Sequence, residues 1–408
     1  MERLYWNNDW KFAETWEEAM KEAVYPENEM EDVRLPHTCK ELPYHYFDEH
    51  AYQMLCGYRR HFMAPEAWQG KSVELTFEGV AHDAVVYVNG TEVKAHHCGY
   101  TAFFVEIAKY LKYGEDNVLA VRVDSRENLN IPPFGYAIDY MTFGGMYREV
   151  YVQVRNKTHL ADVFIKPQIH PLQVTTEITV QNISDGITLQ QEIRKKGEGA
   201  YSPLGKKPVK QTNVQTVFPV QEICLWEPEN PHLYEIRTSL WKNGEMIDAR
   251  VDITGFREAG FRKDGFYLNG KKLRLRGLNR HQSYPYVGYA APASMQIFDA
   301  DILKKELGVN AVRTSHYPQS QDFIRRCDEI GLLVFTEFPG WQHIGGEEWK
   351  RQAVQNLKEM IVQYRNHPSI ILWGVRINES QDDDVFYRET NRVAHELDDT
   401  RATGGVRK

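Results

Sequence analysis

Two kinds of hydrophobic pattern divide the chain at about residue 255. Before that point, apolar and polar residues alternate in short runs, as at residues 71–80, 118–123 and 233–240, and such alternation predicts half-buried β-strands. Asn89-Gly90 lies between two of these runs and is typical of a tight β-hairpin. After that point, continuous apolar runs alternate with helical spacing, which predicts parallel strands covered by helices.

The β-rich part predicts two sandwiches. Residues 1–155 contain short strands separated by Gly, Pro and Asn turns, the pattern of a jelly roll. Residues 156–255 have the length and strand pattern of an immunoglobulin-like sandwich. Within them, the Gly-, Lys- and Pro-rich residues 195–210 are expected to form an exposed loop.

Residues 256–408 predict the start of a (β/α)8 TIM barrel. The expected strands cover residues 273–279, 309–314, 332–336 and 369–375, and the expected helices cover residues 294–307, 320–330, 347–364 and 385–397. Ser294 is the expected cap of the first helix, and residues 400–406 would begin a fifth strand. Because such a barrel takes about 250 residues, the sequence is expected to contain its first half and to end within it. The predicted fold class is therefore multidomain β plus α/β.

Composition narrows the functional class. Asp and Glu number 57 against 49 Lys and Arg, a formal net charge of −8, which disfavours sequence-independent nucleic-acid binding. No apolar run approaches the roughly 18–20 residues that cross a bilayer, and the first residues show no secretory-signal pattern. The five cysteines form no C-x-x-C pair. Neither a disulfide framework nor a zinc site is predicted, and a cytoplasmic location is expected.

Polar residues follow the predicted strands of the barrel at their carboxyl ends, where barrels of this type place reactive side chains. They are Asn279-Arg280-His281, residues 313–316, Glu337 and Asn378-Glu379. Since charged groups are costly to desolvate, such residues either form a hydrogen-bond network that closes the barrel mouth or act on a ligand. Their presence at all four ends favours the second interpretation.

Glu379 is the candidate proton donor of this set. It follows the apolar residues 370–375, and burial among such side chains raises the pKa of a carboxyl group into the range of a general acid. Asn378 beside it can hydrogen-bond a substrate hydroxyl. Ser315 and His316 are adjacent and would face opposite sides of a strand, which disfavours a serine hydrolase.

Three of these side chains also allow a different chemistry. His281, His316 and Glu337 come from three strand ends and could bind a metal. Nothing in their spacing requires it, so a metal-dependent hydrolase is the hypothesis ranked last.

Two long motifs resemble the signatures of glycoside hydrolase family 2. Residues 310–318 (NAVRTSHYP), with residues 323–335 after them, are similar to its first signature, and residues 365–379 (RNHPSIILWGVRINE) are similar to its acid/base signature. Residues 225–234 resemble the family's immunoglobulin-like domain, and residues 139–148 resemble the loop that its jelly roll sends towards the barrel. Residues 281–290 (HQSYPYVGYA) are most similar to bacterial members of the β-galactosidase type.

The resemblance implies a role for each matched residue. Glu379 matches the general acid/base and Asn378 the residue that holds the sugar 2-hydroxyl, while Asp139 matches an aspartate that contacts sugar hydroxyls. Arg313 and His316 match pocket residues at the end of the second strand. Trp373 is either a platform for the sugar ring or a core residue of its strand. The full expected substrate-binding set is Asn378, His316, Arg313, Asp139, Glu337, Trp373 and His281.

The resemblance also implies a mechanism. Members of the family retain the anomeric configuration through a covalent glycosyl-enzyme, using two carboxylates about 5–5.5 Å apart. The nucleophile belongs at the end of the seventh strand, beyond Lys408, so the 408-residue chain is expected to be inactive by itself. Some large members hold magnesium with two glutamates and a histidine. Here His343 stands near one of those positions, but Trp341 occupies another, so neither a metal nor a cofactor is expected.

The leading hypothesis is a retaining β-galactosidase, with β-glucuronidase and β-mannosidase as alternatives in the same family. Outside it, a carbohydrate-binding protein without catalysis would explain the two sandwiches equally well. Such a protein has no need for Asn378-Glu379 after an apolar strand. The expected partner is a carbohydrate substrate and not a nucleic acid or a membrane, and since family members are often dimers or tetramers, a homo-oligomer is an open alternative.

Overall fold

The computed structural model of the protein describes residues 3–45 and 48–408. The first sandwich contains strands β1 to β10, which are Leu4–Tyr5, Trp10–Ala13, Glu31–Val33, Leu55–Met63, Ser72–Phe77, Asp83–Val88, Thr91–His96, Phe103–Glu106, Asp116–Asp124 and Val150–Arg155. They form two antiparallel sheets, in the orders β1-β10-β5-β8 and β3-β2-β4-β9-β6-β7. Asn89 and Gly90 join β6 to β7 and have φ values of 49° and 82°, the left-handed region that a tight hairpin requires. The predicted hairpin and jelly roll are confirmed.

The second sandwich is immunoglobulin-like. Its strands β11 to β17 are His159–Ile169, Leu172–Gln181, Ile187–Lys195, Ser202–Pro208, Asn213–Pro219, Tyr234–Lys242 and Glu245–Thr254, in sheets of order β11-β12-β15 and β14-β13-β16-β17. The prediction of a loop over residues 195–210 is wrong for β14, which pairs antiparallel with β13. β14 is an edge strand with mostly exposed side chains. Such a strand can be rich in Gly, Lys and Pro, and this composition led to the prediction of a loop.

The third part is a TIM-barrel domain. Strands β18 to β20 (Ala259–Arg262, Gly265–Leu268 and Lys271–Leu273) form a small antiparallel sheet before it. The barrel strands β21 to β25 are Gly277–Arg280, Ala311–Thr314, Leu333–Glu337, Ile370–Gly374 and Ala402–Gly404, and they pair in parallel in chain order. The helices α1 to α4 are Ala293–Asp301, Gln321–Ile330, Glu347–Tyr364 and Asp384–Leu397, and a π-helical turn, Ile302–Glu306, continues α1.

Two details of the predicted barrel are wrong. The strand expected at residues 273–279 is interrupted, because the Asn310 side chain accepts a hydrogen bond from Arg276 N–H (2.8 Å) and donates one to Arg274 O (2.9 Å), using backbone groups that a strand would pair. Ser294 is not a cap, since α1 begins after Pro292 and that position provides no side-chain hydrogen bond. Ser320 does cap α2, accepting from Asp322 N–H.

Buried polar contacts dock the jelly roll onto the barrel. Arg148 donates from Nη2 to Gln282 Oε1 and to Pro318 O, both at 3.1 Å, and Trp349 Nε1 donates to Phe134 O at 3.0 Å. Phe134 and Arg148 bracket residues 135–147. The loop between them is therefore anchored to the barrel at both ends.

Candidate active site

A buried ion pair forms the centre of the site, at the carboxyl ends of β22 and β23. Arg313 Nη2 lies 2.7 Å from Glu337 Oε1 and 2.9 Å from Oε2, and Arg313 Nε lies 3.1 Å from Oε2. Glu337 is only 1% exposed. A carboxylate at this depth is tolerable because the guanidinium binds both of its oxygens.

His316 is oriented by the same carboxylate. Its Nδ1 lies 2.8 Å from Glu337 Oε1 and 3.2 Å from Arg313 Nη2. The shorter contact is to the carboxylate, which only accepts hydrogen bonds, so Nδ1 carries the hydrogen. In the neutral ring, the other nitrogen, Nε2, is then an acceptor for a ligand hydroxyl. The neighbouring Ser315 Oγ is buried without a hydrogen-bond partner among the described residues, so the two side chains do not form a nucleophile–base pair.

Asn378 extends the network beyond β24. Its Oδ1 accepts from Arg313 Nη2 at 2.6 Å, which turns the amide so that Nδ2 faces away from the ion pair. Nδ2 is buried and has no partner in the part of the chain that the structure describes. A buried donor without a partner costs free energy. Its hydrogen-bonding capacity is therefore available to a ligand.

Aromatic rings form one wall of the site. The Tyr140 ring lies 5.1 Å from that of His281, 5.8 Å from that of His316 and 6.4 Å from that of Trp341, and the rings of Trp341 and His316 are 4.8 Å apart. Tyr140 Oη is also buried without a partner among the described residues. His281 Nδ1 lies 3.0 Å from Tyr317 Oη. Desolvation, followed by the nearby His316 and Arg313, lowers the pKa of His281 to about 4, so its ring is neutral at pH 7.

Asp139 reaches the same region from the jelly roll. It is exposed and lines a cavity of about 470 Å³ together with Asp48, Glu49, His50 and Tyr140. Since Tyr140 borders both this cavity and the ring cluster, Asp139 lies beside the predicted site.

Glu379 is half-buried after the end of β24. Its backbone is left-handed, with φ of 51°, and its N–H donates to Val406 O at 3.0 Å. The sequence predicted apolar walls around this carboxyl group, whereas its Oε2 accepts a hydrogen bond from the Gln342 side-chain amide at 3.1 Å.

Trp373 does not join this cluster. Its ring is fully buried in the barrel core, and its Nε1 donates to Asp398 Oδ2 at 2.8 Å. Of the two interpretations of Trp373, the sugar platform is therefore wrong: the side chain belongs to the core. Trp341, four residues after Glu337, supplies the aromatic ring at this end.

Sequence reasoning missed Tyr140 and Trp341 as members of the site. Tyr140 was within reach, because it directly follows the singled-out Asp139. Trp341 was considered only as an argument against a magnesium site. Because it lies in a loop, no hydrophobic periodicity indicated which way its side chain faces.

The residues at the positions where some large members of the resembled family hold magnesium do not fit a metal. The His343 ring packs against Trp349, with centroids 5.8 Å apart, and Trp341 packs on His316. Within residues 3–45 and 48–408, no three His, Cys, Asp or Glu side chains are grouped to hold a metal ion.

The arrangement suits the binding and cleavage of a polyhydroxylated ligand. It combines an oriented acceptor on His316, an unpartnered donor on Asn378, aromatic rings that can stack on a sugar, and an accessible carboxyl group on Glu379.

No helix in the described part of the chain has both the length and the apolar character to cross a bilayer.

Comparisons with known proteins identify the family of all three parts. Residues 32–155 match the sugar binding domain of glycosyl hydrolases family 2, residues 158–257 match the family description "Glycosyl hydrolases family 2", and residues 260–406 match its TIM barrel domain.

Among curated proteins, the chain is similar to the β-galactosidase of Thermoanaerobacter pseudethanolicus, with 48% identity over 99% of this chain and 55% of that protein. It is 47% identical to the β-galactosidase of Thermoanaerobacterium thermosulfurigenes, over 98% of this chain and 57% of that protein. Among solved structures, it is similar to Bacteroides uniformis β-glucuronidase 2, with a TM-score of 0.89 and 28% identity over 98% of this chain and 52% of that one. The chain thus spans about half the length of these relatives.

Proposed function

Because this chain belongs to glycosyl hydrolase family 2, we propose that it is part of a retaining β-galactosidase in which Glu379 is the general acid/base. The observation that carries the proposal is the Asn378-Glu379 pair at the end of β24, beside the buried Arg313–Glu337 ion pair and with Asn378 Nδ2 unpartnered. We assign residues 1–155, 156–255 and 256–408 to its sugar-binding, spacer and catalytic domains.

The contacts suggest a division of labour. Asn378 Nδ2 donates to the sugar 2-hydroxyl, and His316 Nε2 accepts from another hydroxyl. Asp139 and Tyr140 contact the sugar from the jelly-roll side, and Trp373, being core, has no part. Glu379 gives its proton to the glycosidic oxygen as the bond to the sugar breaks, and later takes a proton from the attacking water.

Double displacement also needs a nucleophilic carboxylate. Glu337 is unsuited to that role, because Arg313 binds both of its oxygens and His316 binds one of them. As the family resemblance implies, we expect the nucleophile at the end of the seventh barrel strand, outside this chain, about 5–5.5 Å from the Glu379 carboxyl group.

Charge at the site favours a neutral sugar. The cavity beside Tyr140 carries three carboxylates, those of Asp48, Glu49 and Asp139, and the charge of Arg313 is already balanced by Glu337. Among the described residues, these carboxylates would repel the uronic carboxylate of a glucuronide. The likeness to Bacteroides uniformis β-glucuronidase 2 keeps β-glucuronidase as the alternative, with β-mannosidase as a further one.

The test uses the protein with its full barrel and p-nitrophenyl β-galactoside, β-glucuronide and β-mannoside. We expect galactoside hydrolysis to dominate, and Glu379→Gln to lower kcat/KM by about 10²–10⁴-fold, the usual contribution of general acid–base catalysis. Glu396→Gln, on the exposed face of α4, is the matched control and should leave the rate unchanged.

Two results would overturn parts of the proposal. Full activity of the Glu379→Gln variant would remove the acid/base assignment, and preference for the glucuronide or the mannoside would replace the substrate. The 408-residue chain is expected to bind galactose without hydrolysing a galactoside.

A further inference from the structure

The side chain of Gln342 contacts the carboxyl group of Glu379, and no motif in the sequence drew attention to it. Gln342 Nε2 lies 3.1 Å from Glu379 Oε2. Gln342 is in the loop after β23, and Glu379 is in the loop after the neighbouring strand β24. Since an amide N–H only donates and a carboxylate oxygen accepts, the hydrogen bond runs from Gln342 to Glu379.

Backbone contacts hold the two loops in register. Gln342 N–H donates to Asn378 O at 2.8 Å, and Trp341 forms a parallel bridge with Asn378. Gly340 lies so close to Ile377 that a Cβ at this glycine would collide with the isoleucine side chain. The contact between the amide and the carboxyl group is therefore built into the packing of the two loops.

Both partners have an uncommon backbone conformation. Gln342 has φ of 53° and Glu379 has φ of 51°, in the left-handed region that residues other than glycine rarely adopt. Such conformations persist only where the surrounding structure determines them, and they concentrate at functional sites. Here the strained pair consists of the proposed acid/base and the side chain that contacts it.

We propose, on the basis of the function proposed above, that Gln342 is a positioning residue that determines which oxygen of Glu379 carries the catalytic proton. Oε2 already accepts a hydrogen bond from the amide, so the proton resides on Oε1, the oxygen left for the substrate. As the glycosidic bond breaks, its electron pair stays on the leaving oxygen, which takes the proton from Oε1, while the nucleophilic carboxylate bonds to the sugar carbon. The O–H electron pair stays on Glu379, and the amide stabilises the new carboxylate.

The neighbouring residue links this contact to the substrate pocket. The Trp341 ring packs against that of His316, with the ring centroids 4.8 Å apart and the planes tilted by 46°. Residues 341 and 342 thus supply a wall of the sugar site and the hydrogen bond to the proton donor from one short segment.

The first test requires no activity. In the 408-residue chain, the side-chain NH2 signals of Gln342, followed by ¹H–¹⁵N NMR, should move with pH as the carboxyl group titrates, and Glu379→Gln should abolish that movement. The Gln355 side chain, which donates to Glu359 Oε1 at 3.0 Å on α3, is an internal control whose signals should be unaffected by Glu379→Gln. Gln342 signals that ignore pH would overturn the proposal while leaving the acid/base role of Glu379 intact.

The second test uses the protein with its full barrel and Gln342→Met, which keeps the length of the side chain and removes the donor. We expect kcat/KM to fall about tenfold for methyl β-galactoside, whose leaving group needs a proton, and by less than about threefold for 2,4-dinitrophenyl β-galactoside. The basic limb of the pH profile should move upwards, since the carboxylate loses a donor. Gln355→Met should change none of these values.

Equal losses for the two substrates, with an unchanged pH profile, would show that Gln342 only supports the fold. An inactive Glu379→Gln together with an unperturbed Gln342→Met would refute the positioning role alone. An active Glu379→Gln would refute the proposed function first.

Discussion

Two buried charge clusters lie at opposite ends of β24, and they differ in whether their polar atoms are all used. At the amino end, Asp398 accepts hydrogen bonds from Trp373 Nε1 (2.8 Å), Arg401 Nη1 (2.7 Å) and Thr400 Oγ1 (2.6 Å). Arg401 also donates hydrogen bonds to the carbonyl oxygens of Ile370 and His367 and to Thr400 Oγ1.

The electrostatics of the amino-end cluster agree with its geometry. Burial alone would raise the pKa of Asp398, but Arg401, Thr400 and Trp373 outweigh burial and lower that pKa to about 2. The side chains of Asp398 and Arg401 thus have no hydrogen-bonding capacity left for a ligand, and the atom left without a partner beside them, in the described part of the chain, is the buried, uncharged Ser369 Oγ.

At the carboxyl end, the Arg313–Glu337 pair is as well bonded, but the atoms around it are not. Asn378 Nδ2 and Tyr140 Oη are buried without partners among the described residues. Both clusters contain an arginine, a carboxylate and a tryptophan nearby. What separates a structural cluster from a candidate site is the hydrogen-bonding capacity left over, and not the residue types.

The largest expected effect breaks the amino-end cluster. Arg401→Met leaves Asp398, 1% exposed, without its guanidinium, and removal of one partner from a buried pair costs about 3–5 kcal/mol. The measurement is urea unfolding followed by circular dichroism at 222 nm, because the α-helices of the described residues all lie in the barrel.

Arg392→Met is the matched control for that experiment. Arg392 pairs with Glu389 and Glu396 on the exposed face of α4, where ion pairs contribute little. If the two substitutions cost the same, the amino-end cluster does not have the structural role assigned to it.

The next effect tests whether an unpartnered buried atom is enough to mark a site. His82 Nδ1 in the jelly roll is also unpartnered, but the side chain is 1% exposed and enclosed in a core. Burial lowers the pKa of His82 to about 4, so the folded protein keeps the ring neutral while the unfolded chain binds a proton below pH 6.5. The contribution of neutral His82 to the free energy of unfolding is therefore fully present above pH 6.5 and is lost as the pH falls towards 4. This loss is about 3 kcal/mol at most.

Urea midpoints at pH 7 and pH 4.5 measure this loss, and His82→Gln should reduce it. His97 gives a control of opposite sign: the hydrogen bond to Asp83 raises its pKa, so its contribution is present below pH 6.5 and is lost as the pH rises. A His82→Gln variant with unchanged pH dependence would contradict the assignment of His82 as a neutral core residue.

The smallest expected change in stability concerns the carboxyl-end cluster itself. Asn378→Ala removes one of several acceptors of Arg313, which retains Glu337, so the cost should be about 1 kcal/mol. The same variant should lose the ability to distinguish galactose from 2-deoxygalactose, measured by NMR titration of the 408-residue chain. Asn391→Ala, which removes a hydrogen bond to Thr403 elsewhere in the barrel, should keep that ability. If the Asn378→Ala variant still distinguishes galactose from 2-deoxygalactose, Asn378 has only a structural role.

The sequence predicted those parts of the structure that depend on local pattern. Helix α3 has the predicted bounds, because helical periodicity is written within a few residues. The rule that reactive groups follow barrel strands brought Arg313, His316, Glu337 and Asn378 to one end of the sheet, where the structure places them in contact.

Contacts between segments distant in sequence could not be predicted in this way. Tyr140 enters the site from the jelly roll, and Gln342 meets Glu379 only because two loops pack together. Trp373 has the same apolar strand context whether it faces the pocket or the core, and only its burial and its hydrogen bond to Asp398 in the folded structure show that it faces the core. The edge strand β14 was missed because exposure removes the alternation that identifies a strand.

The double anchoring of residues 135–147 has a consequence for how specificity is inherited. Since Phe134 is tied to Trp349 and Arg148 to Gln282 and Pro318, Asp139 and Tyr140 cannot be re-aimed independently of the surfaces that seat them. If this segment alone were transferred into a relative, it would lack the barrel residues that hold its two ends in place. Transfer of ligand preference between homologues should instead require the jelly roll, the contacts that dock it and the carboxyl ends of the barrel strands together.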